Sequence, residues 1–198
     1  MKGADFITPF FIENMDVKKE YQIAIDELNV LIPAKLETAN TIKEIVEEIL
    51  DILVEAYVMG IRHASQMVNE ETEVSVINMQ KAVYQEIEGK TFEDRVVDHI
   101  ENGESGKLEN LVESEYHRVY NTAVSDGVRQ TGRSNVTKTW VTMRDNKVRE
   151  THDYLEGVTV SADSDFYTYD NDHAPFPGAF EKPENNVNCR CILLYKAE

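Results

Sequence analysis

Cysteine is almost absent from this chain of 198 residues: there are two, Cys189 and Cys191, one residue apart. A bond between such close neighbours would be strained by the separation and direction of the side chains, so the sequence holds no disulfide framework. Reduced thiols in a cytosolic setting are the expectation. Long hydrophobic runs are missing as well. The most apolar stretch, Ile49–Ile61, is interrupted by Asp51 and Glu55 and falls short of the roughly 20 residues that cross a bilayer, so no membrane span is expected. Met1–Phe11 lacks the apolar core and small-residue cleavage site of a secretory signal, so export is not expected. There is no Gly-rich phosphate loop, no Ser or Cys in a nucleophile elbow, no carboxylate cluster at metal-binding spacing, no internal repeat and no low-complexity segment.

Basic residues are scarce too: 20 Lys and Arg stand against 37 Asp and Glu, for a net charge of -17. What is present still specifies a folded protein. The apolar fraction is 41%, and the length suffices for a real core without an obligatory metal or disulfide. The charge is uneven. Residues 1–110 carry -13 and residues 111–198 carry -4. An acidic front half repels nucleic acid at long range, so a DNA contact would need a local basic patch. The candidate is the stretch Arg118, Arg129, Arg133, Lys138, Arg144, Lys147 and Arg149, opposed only by Asp126 and Asp145. Within it Lys138, Arg144 and Lys147 are the candidate DNA-contacting residues; the alternative is a solvated helix face followed by a solvated strand.

The first two thirds read as helical. Pro33 ends a first helix over 17–31, because its ring opposes continuation through it. Thr41-Ile-Lys-Glu44 has the form of a capping box, and Ile42, Ile45, Val46, Ile49, Ile52, Leu53 and Ala56 follow at helical spacing, predicting a long helix over 41–68. Glu71–Glu88 carries a weaker helical pattern, and Thr91 caps a short helix over Phe92–Ile100. After Asn102-Gly103 a strong stripe returns from Lys107, with Leu108, Leu111, Val112, Val119 and Ala123, and ends at Gly132. Glu115 falls within that stripe. A carboxylate there needs a cation or several donors; Arg149 is the candidate partner, unless the stripe is narrower and Glu115 lies at its edge.

Beyond Gly132 the texture changes. Val136–Met143 alternates around Trp140 and reads as a strand. Asp145-Asn146 makes a turn, Lys147–Leu155 a short helix closed by Gly157, Val158–Val160 a brief strand, Ala162–Gly178 a polar loop, and Cys191–Tyr195 a last strand. The fold class is α+β, with a mainly helical N-terminal two thirds and a small mixed C-terminal unit of short antiparallel strands. The expected division is a helical arm or subdomain, 1–107, and a second domain, 108–198.

An ordered constellation runs through the second domain: Glu115-x-x-Arg118, Lys138-Thr-Trp140, Asp145, Val148-Arg149-x-x-His152, Leu155-x-Gly157, Asp165-Phe166, Pro177-Gly178 and Asn188-Cys-Arg190-Cys191. Together these resemble the C-terminal domain of Mu F-like phage minor head proteins, over about residues 108–194. The resemblance implies a structural role without catalysis in a phage or prophage head: a virion component, in host cytoplasm during assembly, with portal or major capsid protein as partner, packaged DNA as a further contact, and oligomerisation in the head. Residues 1–107 match no named family; they read as an arm that docks on a portal or capsid partner, or as a helical subdomain packed on the same chain.

Cys189, Cys191 and His152 offer two thiolates and an imidazole, a candidate zinc set whose fourth member would be His173 or an aspartate. The resemblance implies a fuller set in relatives with Cys-x-x-Cys where this chain has Arg149-x-x-His152, and Arg149 cannot ligate. The metal-free alternative is a polar core in which Arg149 forks onto Glu115 or Asp145 while His152 bonds near the cysteine-bearing strand. Glu115, Asp145, Arg149 and His152 could also be arranged as a hydrolase or nuclease site, and Cys189 with His152 as a thiol–imidazole pair. A structural core predicts that Glu115, Arg149, His152 and Cys191 lie buried without a cleft; an enzyme predicts that they line one.

Overall fold

The computed structural model describes residues 9–39 and 41–198; Met1–Thr8, most of the segment judged for a secretory signal, lie outside the described residues. Five helices are followed by a small α+β unit: α1 (Pro9–Thr38), α2 (Ile42–Val68), α3 (Val76–Val83), α4 (Phe92–Glu101) and α5 (Ser105–Gln130), then β1 (Val136–Val141), α6 (Glu150–Asp153), β2 (Thr159–Ser161), β3 (Phe166–Tyr167), β4 (His173–Ala174), α7 (Pro183–Asn186) and β5 (Ile192–Ala197). The α+β expectation holds.

The caps read from the sequence are formed. Thr41 accepts from the Glu44 amide at 3.2 Å and starts α2. Thr91 and Asp94 exchange both bonds of a capping box at the start of α4. The expected stop at Pro33 is not observed, since α1 runs through it to Thr38. A proline inside a helix removes one backbone bond and crowds the preceding turn. Here the apolar row Val17, Tyr21, Ile25, Leu28, Ile32 stays buried up to the residue before the proline, and Lys35 pairs with Glu48 of α2 just past it. Tertiary packing on both sides of Pro33 outweighs the local penalty. The third helix is much shorter than the Glu71–Glu88 pattern, beginning only where the Ser75 hydroxyl accepts from the Asn78 amide.

The seam between α2 and α5 forms the centre of the molecule. Ala56, Gly60 and Ala64 recur every four residues on α2, and Ala123 and Gly127 do so on α5, placing small side chains in one row on each helix. The backbones approach until no Cβ would fit: one added at Gly60 would lie 2.6 Å from the Tyr120 carbonyl oxygen, and one at Gly127 would lie 2.6 Å from Ala64 Cβ. Tyr21, Tyr57, Tyr116 and Tyr120 fill the flanks, and His63 of α2 joins Tyr120 at 2.9 Å and Glu20 of α1 at 3.1 Å. The break expected at 107–108 falls within the first turn of α5, and α5 shares this core with α2, from the other side of the break.

In the C-terminal unit β1 lies between β2 and β5, antiparallel to both. Trp140 pairs with Leu193, and Lys138 lies between Val160 and Tyr195. Alternation along β1 turns Val136, Lys138 and Trp140 inward. The strand stops two residues before the expected Met143, because the Thr142 amide leaves the sheet to donate to Glu156 at 2.6 Å. The loop expected over Ala162–Gly178 contains the β3–β4 hairpin, and a short α7 follows it. Buried Asp172 organises this stretch: its carboxylate accepts from the amides of His173, Glu181 and Lys182 and from the Asn185 side chain. β5 closes the unit on α2, where the Tyr195 amide points at Met67 Sδ at 3.4 Å.

Candidate metal centre and a buried ionic seam

Glu115 to Asn121 of α5 are all buried. α5 is enclosed on one side by α2 and α4 and on the other by the C-terminal loops, so its polar side chains must find partners inside the protein. They form two separate groups.

The first centres on Glu115, 3% exposed. One carboxylate oxygen accepts from Arg95 of α4 at 2.8 Å, and the other accepts from two nitrogens of Arg118 at 3.1 and 2.8 Å. Arg118 also donates to Gln85 and to the Ala82 carbonyl. Burial opposes the charge on Glu115, but the guanidiniums of Arg118 and Arg95 outweigh it and hold the carboxyl below the usual range. Gly178, at φ 88, lays its Cα against this seam; an added Cβ would stand 3.2 Å from Arg118 Cα, so both the left-handed backbone and the contact call for glycine. Above the seam opens a cavity of about 480 Å³ walled by Ile87, Leu111, Phe180 and Val187, with Arg95, Glu115 and Arg118 at its base.

The second group joins α6 to the approach of β5. His152 Nδ1 lies 3.4 Å from Cys189 Sγ and 3.6 Å from Cys191 Sγ, all three side chains are buried, and their ligand atoms lie within 4.8 Å of one another. The positive φ of Asn188 turns the chain immediately before the first thiol, and the two-residue spacing sends both sulfurs to one side. The imidazole is stacked on Phe180 at 5.3 Å and meets the edge of Trp140 at 5.4 Å. A second imidazole, His117 of α5, lies beside Cys189; the Tyr21 hydroxyl holds its Nδ1 at 2.6 Å, and the Asn121 amide stands 3.3 and 3.2 Å from its two ring nitrogens. Burial opposes a thiolate at Cys189; bonds from Cys191, His117 and His152 outweigh it and hold this thiol well below the usual cysteine range. Cys191, bonded to it and buried, is pushed up.

Several expected pairings are corrected. Glu115 is inside the stripe, and its cations are Arg95 and Arg118, since Arg149 points to the other side of α7 and donates to the carbonyls of Glu184 and Val187. Asp145 is taken by Arg190 at 2.8 Å, not by Arg149. His173 does not join the thiols; it pairs with Asp165 at 3.3 Å in the hairpin. The four residues proposed to share one buried core or one cleft therefore do not form a unit: Glu115 lines the large cavity, while His152, Cys191 and Arg149 border a narrow recess. The basic stretch keeps Arg144 and Lys147 at the surface but loses Lys138. Lys138 is 1% exposed, donates to the Pro175 carbonyl at 2.7 Å and lies 5.5 Å from the Phe166 ring centre; burial lowers its pKa to about 8. It cannot reach a phosphate. Arg118 is buried, Arg144 is paired with Glu156, and Lys147 is exposed. Gly157, at φ 76, donates its amide to the Trp140 carbonyl, and the Asn188 amide donates to Ser114 of α5.

Sequence reading missed Arg95, His117 and Asp172. The available signal was weak: Glu115, His117, Arg118 and Asn121 crowd into two turns of one helix. A single-stripe view of α5 treats that side as solvent.

No curated protein and no solved structure matches the chain. A family model does, that of Phage Mu protein F like protein, over residues 59–194. The match takes in the ionic seam, the His152–Cys189–Cys191 group and every motif of the C-terminal constellation, and it begins in the middle of α2, well before the residues that carried the resemblance. This chain therefore belongs to the Mu F-like family, a family of phage head morphogenesis proteins.

Proposed function

We propose that the protein is a minor structural component of the phage head that docks on the portal through the outer face of α1 and α2, and so assists head assembly and the packaging or delivery of DNA. The observation that carries this reading is an exposed apolar surface on the helical pair, most of it ahead of the family match. Ile23, Val30 and Leu31 of α1 are 47%, 74% and 40% exposed. They border a groove of about 830 Å³ that continues over Ile52, Met59 and Tyr116. Exposed apolar residues in a continuous patch mark an interaction surface. Asp26, Glu27 and Glu55 rim the groove, so its partner should present an apolar ridge flanked by Lys or Arg. A direct DNA contact is the weaker reading, because Lys138 is buried.

The test is co-expression of the full chain with the portal protein of the same phage, followed by affinity capture and sizing. A stoichiometric complex is expected, lost when Ile23, Val30 and Leu31 are together changed to Asp while circular dichroism of the isolated chain is unchanged. Equal capture of wild type and triple variant would remove this face from the interaction.

A further inference from the structure

We propose that His152, Cys189 and Cys191 bind one zinc ion, and that this ion pins α6 to the approach of the C-terminal strand. Two features of the second group carry the assignment. The ligand chemistry is that of zinc: two sulfurs and imidazole nitrogen in a buried, closed setting. The spacing is also that of a shared centre. A tetrahedral zinc with Zn–S of about 2.3 Å and Zn–N of about 2.0 Å sets its N···S edges at about 3.5 Å; the two edges here are 3.4 and 3.6 Å. A neutral imidazole nitrogen has one proton or one lone pair to offer, so a single hydrogen bond does not account for Nδ1 standing nearly equidistant from two sulfurs.

The consequence is mechanical. The ion would close loops of 37 and 39 residues between α6 and the two cysteines. Such a closure restricts the unfolded chain and adds its binding energy to folding.

The experiment uses the full chain, purified without chelator. Elemental analysis is expected to find about one zinc per chain, and replacement by Co²⁺ is expected to give intense visible d–d bands with a thiolate charge-transfer band in the near ultraviolet. Cys189→Ser and Cys191→Ser should each abolish the charge-transfer band or halve it and weaken zinc retention by more than about 100-fold, beyond the range typical of outer-shell changes. His152→Ala should weaken it at least about 10-fold and shift the d–d bands, while His173→Ala should change neither. Because the cobalt spectrum is read first on the wild-type chain, a variant that fails to fold does not decide the matter. A wild-type chain that carries no zinc and develops no thiolate band with Co²⁺ overturns the site. An intact spectrum and affinity in His152→Ala overturns the imidazole ligand.

Discussion

The α2–α5 seam and the C-terminal unit reach comparable burial by opposite means. In the seam, glycine and alanine at four-residue spacing let two long helices meet backbone to backbone, and periodic apolar rows do the rest. The C-terminal unit has few such rows. Its strands are short, β2 having three residues and β3 and β4 two each, and its loops are shaped by side chains that accept or donate to backbone groups: Asp172 with three amides, Arg149 with two carbonyls, Lys138 with one. A helical seam tolerates loss of a polar contact but not an added atom. The loop-rich unit and the ionic seam beneath it should tolerate added atoms at the surface but not the loss of a partner.

That contrast can be broken most directly at Glu115. Glu115→Ala strands Arg95 and Arg118 in a buried site, and removal of one partner from such a group typically costs ~3–5 kcal/mol. A urea midpoint should fall accordingly, whereas Asp145→Ala, which breaks the exposed pair with Arg190, should change stability by less than about 1 kcal/mol. Equal losses would mean that burial of the seam has no energetic consequence. The pH dependence has a definite sign. The folded carboxyl sits below its ordinary value, so the unfolded chain binds the proton first; this part of the stability is present above the ordinary glutamate range and lost as pH falls through it toward the folded value.

Gly60→Ala sharpens the other half. Alanine is the better helix former by about 1 kcal/mol in an exposed helix, but its methyl would lie 2.6 Å from the Tyr120 carbonyl oxygen and 2.7 Å from Ala123 Cβ. Backbone atoms cannot step aside cheaply, so a net loss of ~1–3 kcal/mol is expected in thermal or urea unfolding. A stabilised variant would show that the helices are not in the close contact described.

The smallest effect is expected at Lys138. Its ammonium loses its proton at about 8 in the folded state and in the ordinary lysine range once unfolded. Between those values the unfolded chain binds more protons, so stability should rise with pH from about 8 toward 10. Lys138→Met should flatten that rise while leaving the unfolding midpoint at pH 7 within ~1.5 kcal/mol of wild type, the cost usual for swaps of similar volume. An unchanged slope would place Lys138 in water.

These effects follow a division already visible between local and long-range causes. Thr41, Thr91 and the apolar periodicity of α2 and α5 act within a few residues, and the elements they specify were legible. Trp140 and its alternating neighbours marked β1 in the same way. Pro33 was misread because a local rule met a tertiary counterforce. The site was legible in its membership more than in its pairings: His152, Cys189 and Cys191 do converge, but Arg149, Asp145 and Glu115 each take another partner.

The sequence by itself determined where helices and strands form, that the net charge is concentrated in the front half, and that the second half carries the ordered motifs of the Mu F-like family. Each of these depends on residue type and spacing along one segment. Only the tertiary structure decided that α5 is enclosed on every side between Glu115 and Asn121, that Arg95 and not Arg149 answers Glu115, that Lys138 is inside, and that His117 stands beside the thiols. Those outcomes depend on which faces meet across tens of residues, and the burial that makes each charge demand a partner exists only once the layers have closed.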